Sequence, residues 1–190
     1  MPVPIGDAIF ANGDLGSYLQ AKVSSIEVHI RKGVGETDLK GKDADFAPAI
    51  LLAVRVQPLE VDFDHAVKKV DEVRIFVRDA FDGPLVAFEG VKVTKSFRFS
   101  GDARLFSLRP RLLSNIPQGQ IKDGHVIIGV EGRSEPNKLR REIDRQEQFL
   151  RECVTRSTAQ INRYNAHLPR LIEAAVSNRG GIVFGYPGDR

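Results

Sequence analysis

Several groups of residues have the types and spacing that chemistry could use. Val61-Asp62-Phe63-Asp64-His65 brings two carboxylates and an imidazole close together, a donor set for a divalent cation. In a strand, Asp62 and Asp64 point one way and His65 the other, and the Gly and Glu of a calcium loop are missing. A solvated turn is the expected outcome. Gly33-Val34-Gly35 sits among lysines and aspartates, but a phosphate cradle needs a strand before it and a helix after it. Here the pattern reads as a surface loop. His29, His65, His125 and His167 lack the spacing of a metal site. The single cysteine, Cys153, falls on an apolar helix face and is expected to be a small buried hydrophobe. No metal, cofactor or catalytic residue is therefore expected.

A second group is defined by charge. Residues 1–133 hold 18 basic and 18 acidic side chains, whereas 134–190 hold 10 and 7. The excess thus lies wholly in the C-terminal segment, where nine of the ten basic residues are arginine. On a helical wheel Arg141, Arg145, Arg156, Arg163 and Arg170 form a stripe. They could meet phosphates of a nucleic acid or an acidic partner. Glu147 with Arg151 and Glu152 with Arg156 are i, i+4 pairs, which instead favour a solvated helix face.

The elements that must carry these residues follow from periodicity. Val23–Ile30 alternates apolar and polar, which predicts a strand, and Ala49–Val56 reads as a buried strand, with a loop over 31–47 between them. Further strands are expected around Val73–Val77, Leu85–Phe88, Val91–Phe99, Leu105–Leu108 and His125–Val130, with turns at Asp82-Gly83-Pro84 and Lys122-Asp123-Gly124. About seven short strands with no helical segment between them predict an antiparallel β-sandwich over 1–133. At Ser134-Glu135-Pro136-Asn137 the period changes. Asn137 is the expected N-cap of a long amphipathic helix ending at Gly180-Gly181, with a kink or restart at Pro169 and a tail over 181–190.

The apolar stripe of that helix includes Ile143, Leu150, Val154, Ile161, Tyr164, Leu168 and Ile172. About 30 residues before Pro169 span roughly 45 Å, more than a small sandwich covers. Those residues are therefore expected to bind a partner, in coiled-coil fashion with a second copy or with another protein. One unpaired cysteine fits a reducing, cytoplasmic setting. No apolar run approaches a membrane span, and the first residues lack the pattern of a signal peptide.

Residues 97–179 carry a more specific text. It runs Phe97-Arg-Phe99-Ser-Gly101-Asp102-Ala-Arg-Leu105-Phe106-Ser-Leu-Arg109-Pro110, then Pro117-Gln-Gly119-Gln-Ile121 and Glu131-Gly132, then Tyr164-Asn165-Ala-His-Leu168-Pro169. This resembles a module of uncharacterised bacterial proteins, some of them predicted to act in antiphage defence. The resemblance implies a β-rich domain with a C-terminal helix that accompanies a separate effector domain, and it brings no catalytic residues. With only about a dozen residues after Arg179, the effector is expected on another chain, unless this is a fragment of a longer one. The expected function is a non-enzymatic interaction or sensing module that associates with itself or an effector through the helix. Nucleic-acid binding along the arginine stripe is the alternative, followed by an enzyme with a site on the loops 31–47 and 60–69.

Overall fold

A computed structural model of the chain describes residues 2–36, 43–78, 85–113 and 115–177. As expected, the fold is β-sandwich-like with a long C-terminal helix. Its centre is an antiparallel sheet of seven strands among the described residues. The strands are β1 (Val3–Pro4), β2 (Asp7–Ala8), β4 (Glu60–Val61), β5 (Val67–Arg78), β6 (Leu85–Ser100), β8 (Gln118–Lys122) and β9 (His125–Gly132). A separate parallel pair joins β3 (Gly13–Asp14) to β7 (Leu108–Arg109). The helices are α1 (Leu15–Glu36), α2 (Asp43–Val54) and α3 (Pro136–Ser177). No helix among the described residues is long and apolar enough to cross a membrane.

The long strands lie where alternation placed them, with one difference. Leu85–Phe88 and Val91–Phe99 form the single strand β6, because Gly90 continues the ladder opposite Val73. A Cβ at Gly90 would lie 2.7 Å from the backbone carbonyl oxygen of Gly132, so the strand passes here only as glycine. Asp123 and Gly124 adopt φ of 49° and 73°, the conformation of a two-residue hairpin turn, and set Lys122 opposite His125. The turn expected at Asp82-Gly83-Pro84 lies outside the described residues.

Three expected elements are corrected. Val23–Ile30 belongs to helix α1, not to a strand. The eight-residue window matched alternation through Ile26, Val28 and Ile30, but Val28 is exposed. The buried positions Leu15, Leu19, Ile26 and Ile30, with half-buried Val23, recur at helical spacing over a longer window. Ala49–Val56 lies mostly in α2, where Ile50 and Val54 are buried one turn apart; a short apolar run cannot by itself distinguish a strand from a buried helix. Residues 31–36 and 43–47 of the expected loop are consequently helical, and 37–42 lie outside the described residues. Leu105 is not in a strand. Asp102 accepts a hydrogen bond from the Arg104 amide (3.0 Å) and caps a 3-10 turn over Ala103–Ser107, leaving only Leu108–Arg109 extended.

The chain divides into two compact units. The first comprises residues 1–16 and 57–160, and the second 17–56 and 161–190. In the first, Val126, Ile128 and Val130 of β9, Phe97 of β6, and Leu139, Ile143 and Leu150 of α3 are buried. Phe106 packs against Phe10 (5.5 Å between centroids) and Phe99 (4.9 Å). In the second, Ile26 and Ile30 of α1, Ile50 and Val54 of α2, and Leu168 and Ile172 of α3 form one cluster, with Tyr164 packed against it. This helical unit was not expected. Helix α3 begins one residue before Asn137. Glu135 accepts the first helical bond, from the Leu139 amide (3.1 Å), and Pro136 takes the opening position, where its missing N–H costs nothing. Helix α3 continues through Pro169 with no restart. Its end at Gly180-Gly181 lies outside the described residues.

Candidate interaction surface

The apolar stripe of α3 is satisfied within the chain. Ile143, Leu150, Val154, Ile161, Leu168 and Ile172 are buried, and Tyr164 is half-buried. The sheet alone is not what covers the stripe: α1 and α2 supply the cover around Leu168 and Ile172.

Polar groups fix the register of α3 in each unit. In the first, the nearly buried Lys95 of β6 donates to Asp144 Oδ1 (2.7 Å) and Glu147 Oε2 (2.8 Å). Arg151 donates to Glu147 Oε1 (2.7 and 2.9 Å) and lies 4.2 Å from the centroid of the Phe63 ring, which itself packs on buried Phe97 (5.2 Å). Burial opposes the charge on Lys95, but its two carboxylate bonds outweigh that and raise its pKa. Burial likewise opposes ionisation of Glu147, and the bonds from Lys95 and Arg151 outweigh it, so that pKa is lowered. In the second unit Asn165 clamps the Val56 backbone, accepting from its amide (3.2 Å) and donating to its carbonyl (2.8 Å). The Tyr164 hydroxyl donates to the Val54 carbonyl (2.8 Å). Burial and the nearby Tyr18 push its pKa up to about 12. The Asn-x-x-Leu-Pro text is thus a structural clamp on the end of α2.

Asp62 Oδ1 accepts from the amides of Asp64 and His65 (both 3.2 Å), and His65 Nδ1 lies 3.0 Å from both Asp62 oxygens. This is an exposed local turn, and the hydrogen bond with His65 lowers the Asp62 pKa. Among the described residues no group of three His, Cys, Asp or Glu could hold a metal ion. Gly33-Val34-Gly35 falls in the last turns of α1, so it is not the loop expected. The nitrogens of His29 and His167 face carbonyls one turn earlier, Ser25 (2.7 Å) and Arg163 (2.6 Å), while His125 meets the Asp123 carbonyl (2.9 Å). Cys153 is buried. Burial, with Glu152 nearby, pushes its thiol up to about 12 against the opposing pull of Arg109 and Arg156, which leaves it a poor nucleophile.

The arginine stripe is partly neutralised along its own helix. Arg145 bonds Glu142 (2.7 Å) and Arg156 bonds Glu152 (2.8 Å), while Arg141, Arg163 and Arg170 are exposed.

Periodicity did not flag the surface that stands out. Strands β5 and β6 pair antiparallel from Val67 opposite Ser96 to Arg78 opposite Leu85, but β9 covers only Val91–Arg98 of β6. Beyond that this β5–β6 ribbon runs on with two strands only, whereas its Val67 to Glu72 portion lies beside the part of β6 that β9 flanks. Large apolar side chains are exposed on both of its faces. Val70 (66% exposed) and Phe76 (61%) lie on one face, Val67 (65%) and Val86 (54%) on the other. The outer edge of β5 has no neighbouring strand among the described residues. Where α3 crosses the sheet, a cleft lies between Val70, Val91 and Val93 of the ribbon and Leu139 and Ile143 of the helix, rimmed by Lys68 and Arg140. Alternation in Val73, Ile75 and Val77 located the strand but could not show that the opposite face also lacks a cover.

Comparison of the chain with models of protein families, with curated proteins and with solved structures found no match.

Proposed function

We propose that this chain is a non-enzymatic protein-interaction or sensing module, acting in the cytoplasm in bacterial antiphage defence, and that its contact surface is the β5–β6 ribbon. One observation carries the reading. A ribbon that exposes valines and a phenylalanine on both faces, next to an unpaired strand edge, has the composition of a contact surface rather than of a solvated one. The text over 97–179 supports the defence setting by resemblance. The stripe of α3 is already buried, which moves the expected contact from the helix to the ribbon. The partner is a second copy or an effector protein. Nucleic-acid binding has weaker support, since carboxylates already engage Arg145 and Arg156.

The test is a phage-plating assay with the gene and its flanking genes in a sensitive bacterium. The expected result is protection by the wild type and its loss in the Phe76→Ser, Val86→Ser double variant at unchanged protein level. Protection that survives in this variant would overturn the assignment of the ribbon.

A further inference from the structure

The ribbon's edge carries a pattern that selects one partner. Strand β5 reads Val67-Lys68-Lys69-Val70-Asp71-Glu72-Val73. Inverted about Val70, this segment is complementary to itself: two lysines precede the central valine, two acids follow it, and valines close both ends. We propose that two copies of the chain pair antiparallel along their β5 edges, in the register that places Val70 opposite the partner's Val70. The proposal rests on the ribbon being a contact surface, and it names the occupant.

Backbone geometry limits the possible registers. In an edge strand only alternate residues turn their N–H and C=O outward. Two identical edges therefore pair antiparallel only when facing residues share parity, so that one residue faces its own copy. Centring on Val70 sets Lys68 opposite the partner's Glu72, Lys69 opposite the partner's Asp71, and Val67 opposite the partner's Val73. Centring on Lys69 or Asp71 brings like charges together. Centring on Val73 matches Glu72 with the partner's Arg74 but sets Asp71 opposite the partner's Ile75, without a countercharge. The register at Val70 satisfies all four charges in each copy.

The side chains are placed to act in this way. Lys68, Lys69, Val70 and Glu72 are exposed and Asp71 is half-exposed. Lys69 and Asp71 lie on one face, already 2.8 Å apart within the strand, and Lys68 and Glu72 lie on the other. The two-fold axis would extend the Lys69–Asp71 pair into a ring of alternating charge across the joint and set Lys68 of each copy beside the partner's Glu72. It would also set the two copies of Val70 side by side, next to the clefts beside α3. Lysine on an edge commonly prevents pairing. An edge that answers each lysine with an acid at the mirrored position rejects other registers and admits this one.

Sedimentation of the full chain tests the pairing. The expected result is a monomer–dimer equilibrium that weakens with salt. Lys68→Glu with Lys69→Glu makes the segment wholly acidic, and Asp71→Lys with Glu72→Lys makes it wholly basic. Each variant alone should lose association by about 100-fold or more, and a mixture of the two should regain a 1:1 heterodimer, which also shows that both have folded. Val70→Cys reads the register. Facing Cα atoms of antiparallel strands lie about 4.5–5.5 Å apart, within disulfide reach, so diamide should cross-link it while Val73→Cys stays uncross-linked. A wild-type monomer at about 1 mM, or a dimer indifferent to the charge reversals, would overturn the proposal. If Phe76→Ser, Val86→Ser still abolished protection, either result would leave the ribbon reading standing. Cross-linking through Val73→Cys instead of Val70→Cys would overturn the register.

Discussion

Replacing Lys95 with methionine keeps most of the apolar stem and removes the ammonium that ties β6 to α3. Removing one partner of a buried ion pair typically costs about 3–5 kcal/mol, because the other charge is left without compensation. Here two features reduce the loss. Asp144 is half-exposed and returns to water, and Glu147 keeps both bonds from Arg151. The expected loss is therefore about 2–3 kcal/mol, or about 5–10 °C in Tm for a chain of this size. Urea unfolding of Lys95→Met, Glu147→Gln and the double variant measures it. The double variant should cost clearly less than the sum of the single ones, since both remove the same contact. The pH dependence follows from the directions of the two pKa shifts. Glu147 is lowered in the folded chain, so its contribution is present above the ordinary carboxylate pKa and is lost as pH falls through the depressed value. Lys95 is raised, so its contribution is present below the ordinary lysine pKa and is lost as pH rises through the elevated one. The gap between wild type and Lys95→Met should be widest between about pH 5 and pH 10 and should narrow on either side. A gap under about 0.5 kcal/mol at pH 7, or full additivity with Glu147→Gln, would refute the view that this pair anchors α3.

Two more predictions concern α3. Asn165→Ala leaves the amide and carbonyl of buried Val56 without their partner and should cost about 2–3 kcal/mol in urea unfolding. Asn165→Asp keeps an acceptor for the amide but loses the donor to the carbonyl, so it should fall between Ala and wild type. With its thiol pushed up to about 12 and buried, Cys153 should be inert to a thiol reagent at pH 8 in the native chain and react fully in denaturant; rapid native labelling would contradict its burial.

Legibility in the sequence followed the length of the periodic signal. The apolar stripe of α3 recurs over a 42-residue helix, and alternation in β5, β6 and β9 runs far enough to define faces. Those elements, the Asp123-Gly124 turn, the solvated turn at Asp62–His65 and the burial of Cys153 could be read directly. Strands as short as β1, β2 and β4, two residues each, carry no periodicity and exist only because a neighbour pairs with them. Val23–Ile30 and most of Ala49–Val56 are helical although each short window also fits a strand, and the fit is settled by what each face meets.

What the sequence by itself determined was which side of each long element is apolar, where the charge lies, and the mirrored order of Lys68, Lys69, Asp71 and Glu72. Side-chain spacing along one strand or helix is a local property. Only the tertiary structure decided what each apolar face is covered by. It buried the stripe of α3 around Leu168 and Ile172 with α1 and α2, and left Val67, Val70, Phe76 and Val86 uncovered. The reason is physical: burial requires a second surface from distant sequence, and no local period records whether that surface arrives.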